Sequence, residues 1–417
     1  MDAAMKLNKY IEEATFDVKE QVKLFERTAI INQEKVLESF RQAKISNYHF
    51  QTSTGYGYGD VAREGIEEVF KIVFKAEKAL VRGQLASGTH AIACCLYGLL
   101  RPGDKLISIT GTPYDTLQSV LGNRSQVLGS LTDFGVQYQE VPLNFDLKPD
   151  LKGISCIISK EKPKLVLIQR SRGYHWRPSL SIKEIGSLIE RVKEISPNTI
   201  CFVDNCYGEF VEEKEPIEVG ADIIAGSLIK NPGGGIATAG GYIVGKEELV
   251  ELAAARLTAP GISGKVGATL VDPRLLFQGF FIAPHTVKQA LVTAAYASSM
   301  FSLLGMEVSP MPTDDRTDII QAIKLGSKEM LLAVCKAIQE ISPIDSFLTP
   351  EPSPMAGYDD QVIMAGGTFI QGSSIELSAD GPIREPYILF LQGALTSEHG
   401  KIAIDHVVKK LIETGII

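Results

Sequence analysis

The amino-acid sequence predicts an α/β protein in which a mostly parallel sheet forms a large domain and a smaller α+β domain follows it. Two observations carry this prediction. From about residue 50 to residue 285, short apolar runs alternate with amphipathic segments, a pattern typical of strand–helix–strand units around a parallel sheet. The apolar runs show no polar alternation, as expected for strands that helices cover on both faces. They are residues 105–110, 165–169, 199–203, 223–225 and 241–244.

The pattern divides the chain into three expected parts. These are a helical arm over residues 1–48, a large α/β domain over residues 49–285 and a small α+β domain over residues 286–417. In the arm, Val36, Leu37 and Phe40 form a narrow apolar stripe within an otherwise polar stretch. Such a stripe needs cover, so we expect the arm to dock either on the body of its own chain or on a partner subunit.

The helices and the later strands are predicted from hydrophobic periodicity. Residues 182–195 place Ile185, Leu188 and Val192 on one face, which indicates an amphipathic helix between two strands. Past residue 286 the character changes, and a long alanine-rich core helix is expected over residues 290–306. The other elements predicted for the small domain are a helix over residues 328–341 and strands over residues 361–370, 373–377 and 388–391.

Charge and composition exclude several classes of protein. The chain carries 42 Lys and Arg against 50 Asp and Glu, a net charge of −8 without a basic patch, so we expect no nucleic-acid partner. The longest uncharged runs, residues 83–100 and 290–306, are too polar or too short for a membrane span. The first residues contain acids where a signal peptide has an apolar core, and we expect a cytoplasmic protein. The cysteines and histidines show no metal-ligand spacing, so no metal site is expected.

Two charged residues stand alone in apolar surroundings. Lys230 is the only charged residue among positions 223–245, and Asp204 is the only one among positions 195–208. An unpaired charge in dry surroundings is costly, so such residues are usually paired or chemically modified. Taken singly, each also fits a structural role, with Lys230 reaching solvent from a glycine-rich loop and Asp204 capping the next helix.

The segments that follow the predicted strands carry most of the reactive groups. These groups are Tyr114, Arg170, Arg172, Asp204, Ser227 and Lys230. Ser87, Gly88 and Thr89 open an apolar helix, whose first N–H groups are suited to hold a phosphate at the positive end of the helix dipole. Ligands of open parallel sheets bind outside the carboxyl ends of the strands, so we expect these groups to share one site.

Pyridoxal phosphate would use each of these groups. Its aldehyde needs a lysine for a Schiff base, its ring nitrogen needs an acid that keeps it protonated, and its ring needs an aromatic neighbour. A helix N-terminus suits its phosphate. A desolvated lysine loses its proton more readily, which favours imine formation, and we expect this of Lys230.

Six motifs carry a resemblance to a known family. The segments SGTHAI (87–92), FVDN (202–205) and GSLIK (226–230) resemble fold type I pyridoxal phosphate enzymes of Cys/Met metabolism, the cystathionine lyases and methionine γ-lyases. The segments QRSRGY (169–174), IKNPGGG (229–235) and SIELSADGPIREPY (374–387) are similar to the methionine γ-lyase-like subgroup associated with aluminium resistance. The resemblance implies a fold type I architecture of the PLP-dependent transferase kind.

The resemblance also implies roles for individual residues. Lys230 would hold the Schiff base, Asp204 would pair with the pyridinium nitrogen, and Tyr114 would stack on the ring and exchange protons. The phosphate would be bound by Ser87, Gly88, Thr89 and Ser227. This chain departs from the better-known lyases at Ile229, where they have a threonine.

The resemblance also implies which residues bind the cofactor phosphate of a neighbouring subunit and which residue binds the substrate's carboxylate. In the family a Tyr-Ser-Arg arm reaches the phosphate of a neighbouring subunit, and Tyr56, Tyr58 or Arg63 are its candidates here. The resemblance places the substrate's α-carboxylate towards the small domain, where Arg384 offers a planar guanidinium with two parallel bonds. If Arg384 is not the anchor, Arg170 or Arg172 takes that role.

The expected function is therefore a PLP-dependent carbon–sulfur lyase. It would act on a small sulfur-containing amino acid and release a thiol, a 2-oxo acid and ammonia. We expect a homodimer or homotetramer with shared active sites. Two alternatives stay open: another PLP-dependent reaction on an amino acid, such as an aldolase or transferase reaction, and a non-catalytic PLP-binding stress protein.

Overall fold

The architecture of the chain consists of two sheets, each with its own covering of helices. The computed structural model describes residues 3–123, 127–268 and 271–415 of the 417-residue chain. A seven-stranded sheet builds the large domain and a five-stranded sheet builds the small domain. The predicted fold class is confirmed.

The large domain alternates strands with helices. Its strands are β1 (Lys78–Arg82), β2 (Lys105–Ser108), β3 (Gln137–Glu140), β4 (Leu165–Gln169), β5 (Ile200–Asp204), β6 (Ile223–Ser227) and β7 (Gly241–Gly245). Its helices are α3 (Val61–Val73), α4 (Gly88–Leu99), α5 (Asp115–Leu121), α6 (Leu151–Glu161), α7 (Ile182–Ile195) and α8 (Glu247–Leu257). They follow α1 (Ala3–Asp17) and α2 (Lys19–Gln42) of the arm.

The strand order of the large sheet is β1-β7-β6-β5-β4-β2-β3. The pairs from β3 to β6 are parallel, whereas β7 runs antiparallel to both β6 and β1. The carboxyl ends of β2, β4, β5 and β6 therefore meet at one edge, where the reactive groups of the sequence follow them. Each of β4 to β7 is buried along its whole length, because helices cover both faces of the sheet.

The small domain forms around an antiparallel sheet. After α9 (Pro273–Leu303) come β8 (Glu307–Ser309), β9 (Ile320–Lys324), α10 (Lys328–Glu340), β10 (Val362–Ala365), β11 (Ser378–Pro382), β12 (Ile388–Gln392) and α11 (Ser397–Glu413). The sheet order is β10-β11-β12-β9-β8. Helix α9 spans the expected domain boundary at residue 286 without a break. Its buried residues pack into the cores of both domains.

The sequence missed some elements and misplaced one. Strand β3, with the sequence QYQE, lies at the sheet edge and needs no apolar run, so it carries no hydrophobic signal. Strand β1 was also not predicted. The strand expected over residues 373–377 is wrong: residues 374–377 form bends, and β11 starts at Ser378. Ile375 and Leu377 of this segment are buried in the core, although the segment has no regular secondary structure.

The N-terminal arm docks on the body of its own chain. Helix α2 packs along α9, with Val36 fully buried and Leu37 exposed. The Asn32 amide donates to the carbonyl oxygens of Phe210 at 3.0 Å and Glu212 at 3.1 Å. The arm thereby contacts the loop that follows β5. Across the described residues, no helix is long and apolar enough to cross a membrane.

Candidate active site

A cavity of about 260 Å³ lies at the carboxyl edge of the large sheet. It is enclosed by the ends of β4, β5 and β6, by the first turns of α4 and α5, and by loops of the small domain. The lining includes Ser87, Gly88, Thr89, Tyr114, Asp204, Ser227 and Lys230, all predicted from the sequence, together with Cys206, Tyr174, Tyr207 and Tyr358. The fold thus collects residues that lie far apart in the sequence.

Lys230 follows β6 and points into this cavity. Its Nζ lies 3.7 Å from the centroid of the Tyr207 ring. Burial lowers the pKa of Lys230, but Cys206, Tyr207 and Asp204 raise it, and the net effect raises the pKa above its ordinary value. The expectation that desolvation makes this amine readily deprotonated is therefore wrong for the free protein, because the neighbouring groups favour the ammonium form.

Asp204 closes the cavity at the end of β5. It is 2% exposed, and its Oδ1 accepts a hydrogen bond from the backbone N–H of Cys206 at 3.1 Å. Burial raises the pKa of Asp204, while Lys230 and the Cys206 hydrogen bond lower it, with a net increase. A buried carboxylate of this kind binds a cationic N–H group strongly.

The N-terminus of α4 forms one wall. Ser87 caps the helix by accepting a hydrogen bond from the His90 backbone N–H at 3.1 Å, so its hydroxyl oxygen is already engaged. Gly88 packs against the opposite strand end: a Cβ there would lie 3.1 Å from Cys206 Sγ and 3.3 Å from Ser227 Cβ. The absence of a side chain keeps the first N–H groups of the helix open to an anion.

Tyr114 stands across from this helix end. Its hydroxyl lies 2.9 Å from Thr89 Oγ1, and its backbone N–H donates to Gln169 Oε1 at 2.8 Å. Burial, together with the charge of Asp204, raises the pKa of Tyr114 well above its ordinary value. The phenol is neutral at physiological pH, which suits a proton donor better than a base.

Sequence reasoning missed three tyrosines and an aspartate. Tyr174, Tyr207 and Tyr358 line the side of the cavity that faces the small domain. The Tyr174 hydroxyl donates to Asp380 Oδ2 at 3.1 Å, and its ring centre lies 5.6 Å from that of Tyr358. The signal was present, because Tyr174 ends the QRSRGY motif and Asp380 lies in the SIELSADGPIREPY motif.

The structure does not bring the predicted arginines into the cavity lining. Arg170 is fully buried behind the sheet edge, where its Nη1 donates to Asn205 Oδ1 and its Nη2 to Glu212 Oε2, both at 2.8 Å. Arg172 is buried at the seam between the domains. Arg384 is partly exposed and pairs with an aspartate of the small domain at 3.1 Å. This placement corrects the expectation that Arg170 and Arg172 share one site with Lys230.

Tyr56 and Tyr58 lie outside the cavity of their own chain. They are 68% and 81% exposed on the loop before α3. Arg63 stabilises this loop, because its guanidinium donates hydrogen bonds to the carbonyl oxygens of Gly55 at 2.5 Å and Gly57 at 3.1 Å. Both tyrosines are thus accessible to another subunit.

The donor set fits pyridoxal phosphate. An amine, a buried carboxylate, a phenol and a helix N-terminus converge on one cavity, and Gly88 lets the first turn of α4 pack closely against Cys206 and Ser227. The described ranges contain no cluster of three His, Cys, Asp or Glu side chains with the geometry of a metal site.

Comparison with known proteins agrees with this geometry. The family model for methionine gamma-lyase matches residues 7–412. YnbB of Bacillus subtilis, an uncharacterized protein, is 49% identical over 412 residues, which cover 99% of this chain and 98% of YnbB. A carbon–sulfur lyase involved in aluminium resistance from Clostridium novyi superposes with a TM-score of 0.93 at 48% identity, covering 97% of this chain and 96% of its own. A candidate cystathionine beta-lyase involved in aluminium resistance from Listeria monocytogenes gives 0.94 at 50% identity, covering 97% and 99%.

Proposed function

Because this chain belongs to the methionine gamma-lyase family of pyridoxal phosphate-dependent carbon–sulfur lyases, we propose that it cleaves a carbon–sulfur bond in a small sulfur-containing amino acid. The products would be a thiol, a 2-oxo acid and ammonia. The observation that carries the proposal is the convergence of Lys230, Asp204 and the N-terminus of α4 on one cavity.

The residues around the cofactor have distinct tasks in this proposal. When bound, pyridoxal phosphate accepts the electrons that the substrate's α-carbon releases. Lys230 Nζ takes the α-proton, and Asp204 holds a proton on the ring nitrogen. Gly88 and Thr89 bind the phosphate through backbone N–H groups, and Ser227 adds a hydroxyl. Ser87 orders the helix end as its cap.

The leaving sulfur needs a proton and a suitable surface. Tyr114 is a neutral phenol at the cavity wall, so its hydroxyl is placed to give a proton to the departing thiolate. Tyr174 and Tyr358 provide aromatic surface on the side of the small domain, and sulfur makes favourable contacts with aromatic ring edges. This wall supports a thioether or thiol side chain over a charged one.

For the α-carboxylate we keep Arg384 as the anchor. Its side chain is 38% exposed, and its Nη2 donates to the backbone carbonyl of Tyr174 at 3.1 Å, beside the cavity wall. Its single ion pair with Asp360 is half-exposed and weak, so a substrate carboxylate can replace it. Arg170 is instead held by the partly buried Glu212 and the buried Glu215.

We also propose that two or more subunits share their active sites. Tyr56 and Tyr58 are large aromatic residues exposed on a loop that Arg63 braces. In a homodimer or homotetramer they would reach the phosphate of the neighbouring site. Light scattering of the cofactor-loaded protein tests this: an active monomer that survives dilution would contradict it.

The proposed reaction is tested by product analysis of purified holoenzyme. L-cystathionine, L-methionine, L-cysteine and L-homocysteine are supplied in turn, and thiol, 2-oxo acid and ammonia are measured together. We expect equal amounts of all three from at least one substrate. Lys230→Ala should abolish their release, whereas Lys409→Ala, which changes a lysine on the exposed face of α11, should not.

Other product patterns would replace the proposal. Release of glycine and an aldehyde from an added β-hydroxy amino acid such as L-threonine, without thiol from the sulfur amino acids, would indicate an aldolase reaction. Amino-group transfer to an added 2-oxo acid would indicate a transferase. A visible spectrum that no amino acid in the panel changes would indicate a protein that binds the cofactor without catalysis.

A further inference from the structure

Tyr174 belongs to the large domain and lines the cavity, yet contacts from the small domain hold its side chain. Its hydroxyl donates to Asp380 Oδ2 at 3.1 Å, and its ring centre lies 5.2 Å from that of Phe390. Its backbone carbonyl oxygen accepts a hydrogen bond from Arg384 Nη2 at 3.1 Å. The place of this ring in the cavity wall therefore depends on contacts across the boundary between the domains.

Asp380 and Phe390 act together on Tyr174 because they are neighbours on the small sheet. They are paired residues of the antiparallel strands β11 and β12, so their side chains share one face of the sheet. Phe390 belongs to an apolar cluster against which Tyr174 and Tyr207 pack. Apolar packing is not directional, whereas a hydrogen bond is. Asp380 therefore adds to this packing a contact that fixes the direction of the phenol.

The Asp380 carboxylate is buried at a cost in stability. The residue is 4% exposed, and its Oδ2 also accepts a hydrogen bond from Gln392 Nε2 at 2.9 Å. Its Oδ1 has no hydrogen-bond partner among the described residues. Burial of a charged oxygen without a donor is unfavourable, so stability alone does not explain a carboxylate at this position.

The protonation states of the pair fix the direction of their hydrogen bond. The pKa of Asp380 is raised to about 6, because burial outweighs its two hydrogen bonds and the charge of Lys230. The group is therefore an anion at neutral pH. Burial and this anion raise the pKa of Tyr174 well above its ordinary value, so the phenol keeps its proton and donates it to Asp380.

The large domain fixes the backbone next to Tyr174 and brings it close to Tyr114. Gly173 has a φ of +60°, and a Cβ there would lie 3.3 Å from Gln169 Nε2 and 3.4 Å from Tyr114 Cβ. Gln169 Oε1 in turn accepts a hydrogen bond from the backbone N–H of Tyr114 at 2.8 Å. A movement of the Tyr174 ring would therefore change the space beside the proposed proton donor.

We propose that Asp380 is a positioning residue for the side chain of the substrate. It holds the Tyr174 phenol so that the rings of Tyr174 and Tyr358, whose centres lie 5.6 Å apart, form a fixed wall for the sulfur-bearing chain. The proposal rests on the proposed function in one respect, namely that a sulfur-containing amino acid occupies the cavity. Asp380 acts through the Tyr174 hydroxyl, so substrate affinity depends on it, whereas attachment of the cofactor to Lys230 does not.

The test measures the binding of sulfur-containing amino acids to the holoenzyme. L-cystathionine, L-methionine, L-cysteine and L-homocysteine are each mixed with it in a stopped-flow instrument, and Kd is taken from the change in cofactor absorbance before products accumulate. Asp380→Asn and Tyr174→Phe should each weaken the binding of the tightest of these ligands by about fivefold or more, because the charge-assisted hydrogen bond is lost. The visible absorbance of both variants without ligand should match that of the wild type.

A second tyrosine–aspartate pair in the chain provides a matched control. The Tyr296 hydroxyl donates to Asp405 Oδ1 at 2.6 Å between α9 and α11, and neither residue lines the cavity. Asp405→Asn should leave ligand binding unchanged even if it lowers Tm. If Asp380→Asn does not fold, Tyr174→Phe with Tyr296→Phe as its control makes the same comparison.

A double variant shows whether Asp380 acts through Tyr174. Tyr174→Phe combined with Asp380→Asn should bind the ligand no more weakly than Tyr174→Phe alone. The proposal is overturned if both single variants bind like the wild type, if their effects add in the double variant, or if Asp405→Asn weakens binding equally. Binding without release of thiol contradicts the proposed function alone, because the Kd values still report on Asp380.

Discussion

Replacement of Arg170 by methionine separates a structural role of this residue from a role in substrate binding. The Arg170 guanidinium is fully buried, bonds to Glu212 at 2.8 Å, and lies 3.6 Å from Glu215. Gly208 packs so closely against it that a Cβ at Gly208 would lie 2.4 Å from Arg170 Cδ. Arg170→Met fills similar space but leaves two carboxyl groups without their cation.

The size of the effect follows from these contacts. Loss of one partner of a buried ion pair costs about 3–5 kcal/mol. With about 2.1 cal/mol/K of unfolding entropy per residue, a chain of 417 residues has about 0.9 kcal/mol/K, so Tm should fall by about 3–6 °C. Differential scanning calorimetry at pH 8 measures this directly.

The loss of Tm caused by Arg170→Met should depend on pH. Burial raises the pKa of Glu215, and Arg170 lowers it, so the pKa of Glu215 rises further when Arg170 is removed. When the pKa of a carboxyl group is higher in the native state than in the unfolded state, the protein loses stability as the pH rises from the unfolded-state pKa to the native-state pKa. The difference in Tm between Arg170→Met and the wild type should therefore be larger at pH 8 than at pH 5.

Arg384→Met is the matched comparison. Its guanidinium is partly exposed with one half-exposed ion pair, so Tm should barely change, while KM for the substrate should rise. The reasoning is refuted if Arg170→Met keeps the wild-type Tm and raises KM, because Arg170 would then be the substrate anchor that the sequence also allowed.

The remaining predictions concern the cavity and its support. Lys230→Ala should lose the visible absorbance of the lysine-linked cofactor. Because the pKa of Lys230 is raised, the rate at which wild-type apoprotein binds added cofactor, followed by visible absorbance, should increase as the pH rises. Gly88→Ala should lower the Tm of the apoprotein slightly and weaken cofactor affinity by about tenfold, since its Cβ would lie 3.1 Å from Cys206 Sγ and shift the helix end that faces the phosphate; an unaffected affinity in fluorescence titration would argue against this phosphate site. Glu209 is fully buried with a pKa raised to about 8, so the free energy of unfolding of the wild type should fall from pH 5 to pH 8 relative to that of Glu209→Gln. Denaturant unfolding at both pH values measures this, and an equal change in both proteins would contradict it.

The sequence predicted those parts of the molecule that local pattern determines. Helix α7 was expected over residues 182–195 and is found there, because its apolar period and its Ser181 cap agree. Strand β4 likewise matches its prediction, since five consecutive apolar or buried residues between turns favour a covered strand. Edge strand β3 escaped prediction because half of its side chains meet solvent and carry no apolar signal.

The convergence of the cavity residues was also predictable, but the partners of the charges were not. Lys230 and Asp204 stand out because no other charge lies near them in sequence, and parallel topology brings strand ends together. Arg170 and Arg172 were expected at the same sheet edge, yet the acids that neutralise Arg170 come from the loop after β5, a relation that only the fold creates. A lone charge in a sequence therefore marks a special site, while its chemistry depends on the tertiary neighbours.

The two clusters of buried charge show how these neighbours decide function. Arg170 meets two carboxylates and an amide, so its charge is balanced within the protein and its loss should appear as instability, although its Nε has no hydrogen-bond partner among the described residues. Arg172 and Arg316 share one aspartate that bonds to the backbone, so part of their hydrogen-bonding capacity is unmet by the described residues. In the sequence, Arg170 and Arg172 share the motif QRSRGY, and nothing in their local surroundings separates their two roles. Because each unmet buried donor is destabilising, a buried guanidinium contributes to stability only to the extent that the carboxylates and carbonyls around it accept its hydrogen bonds.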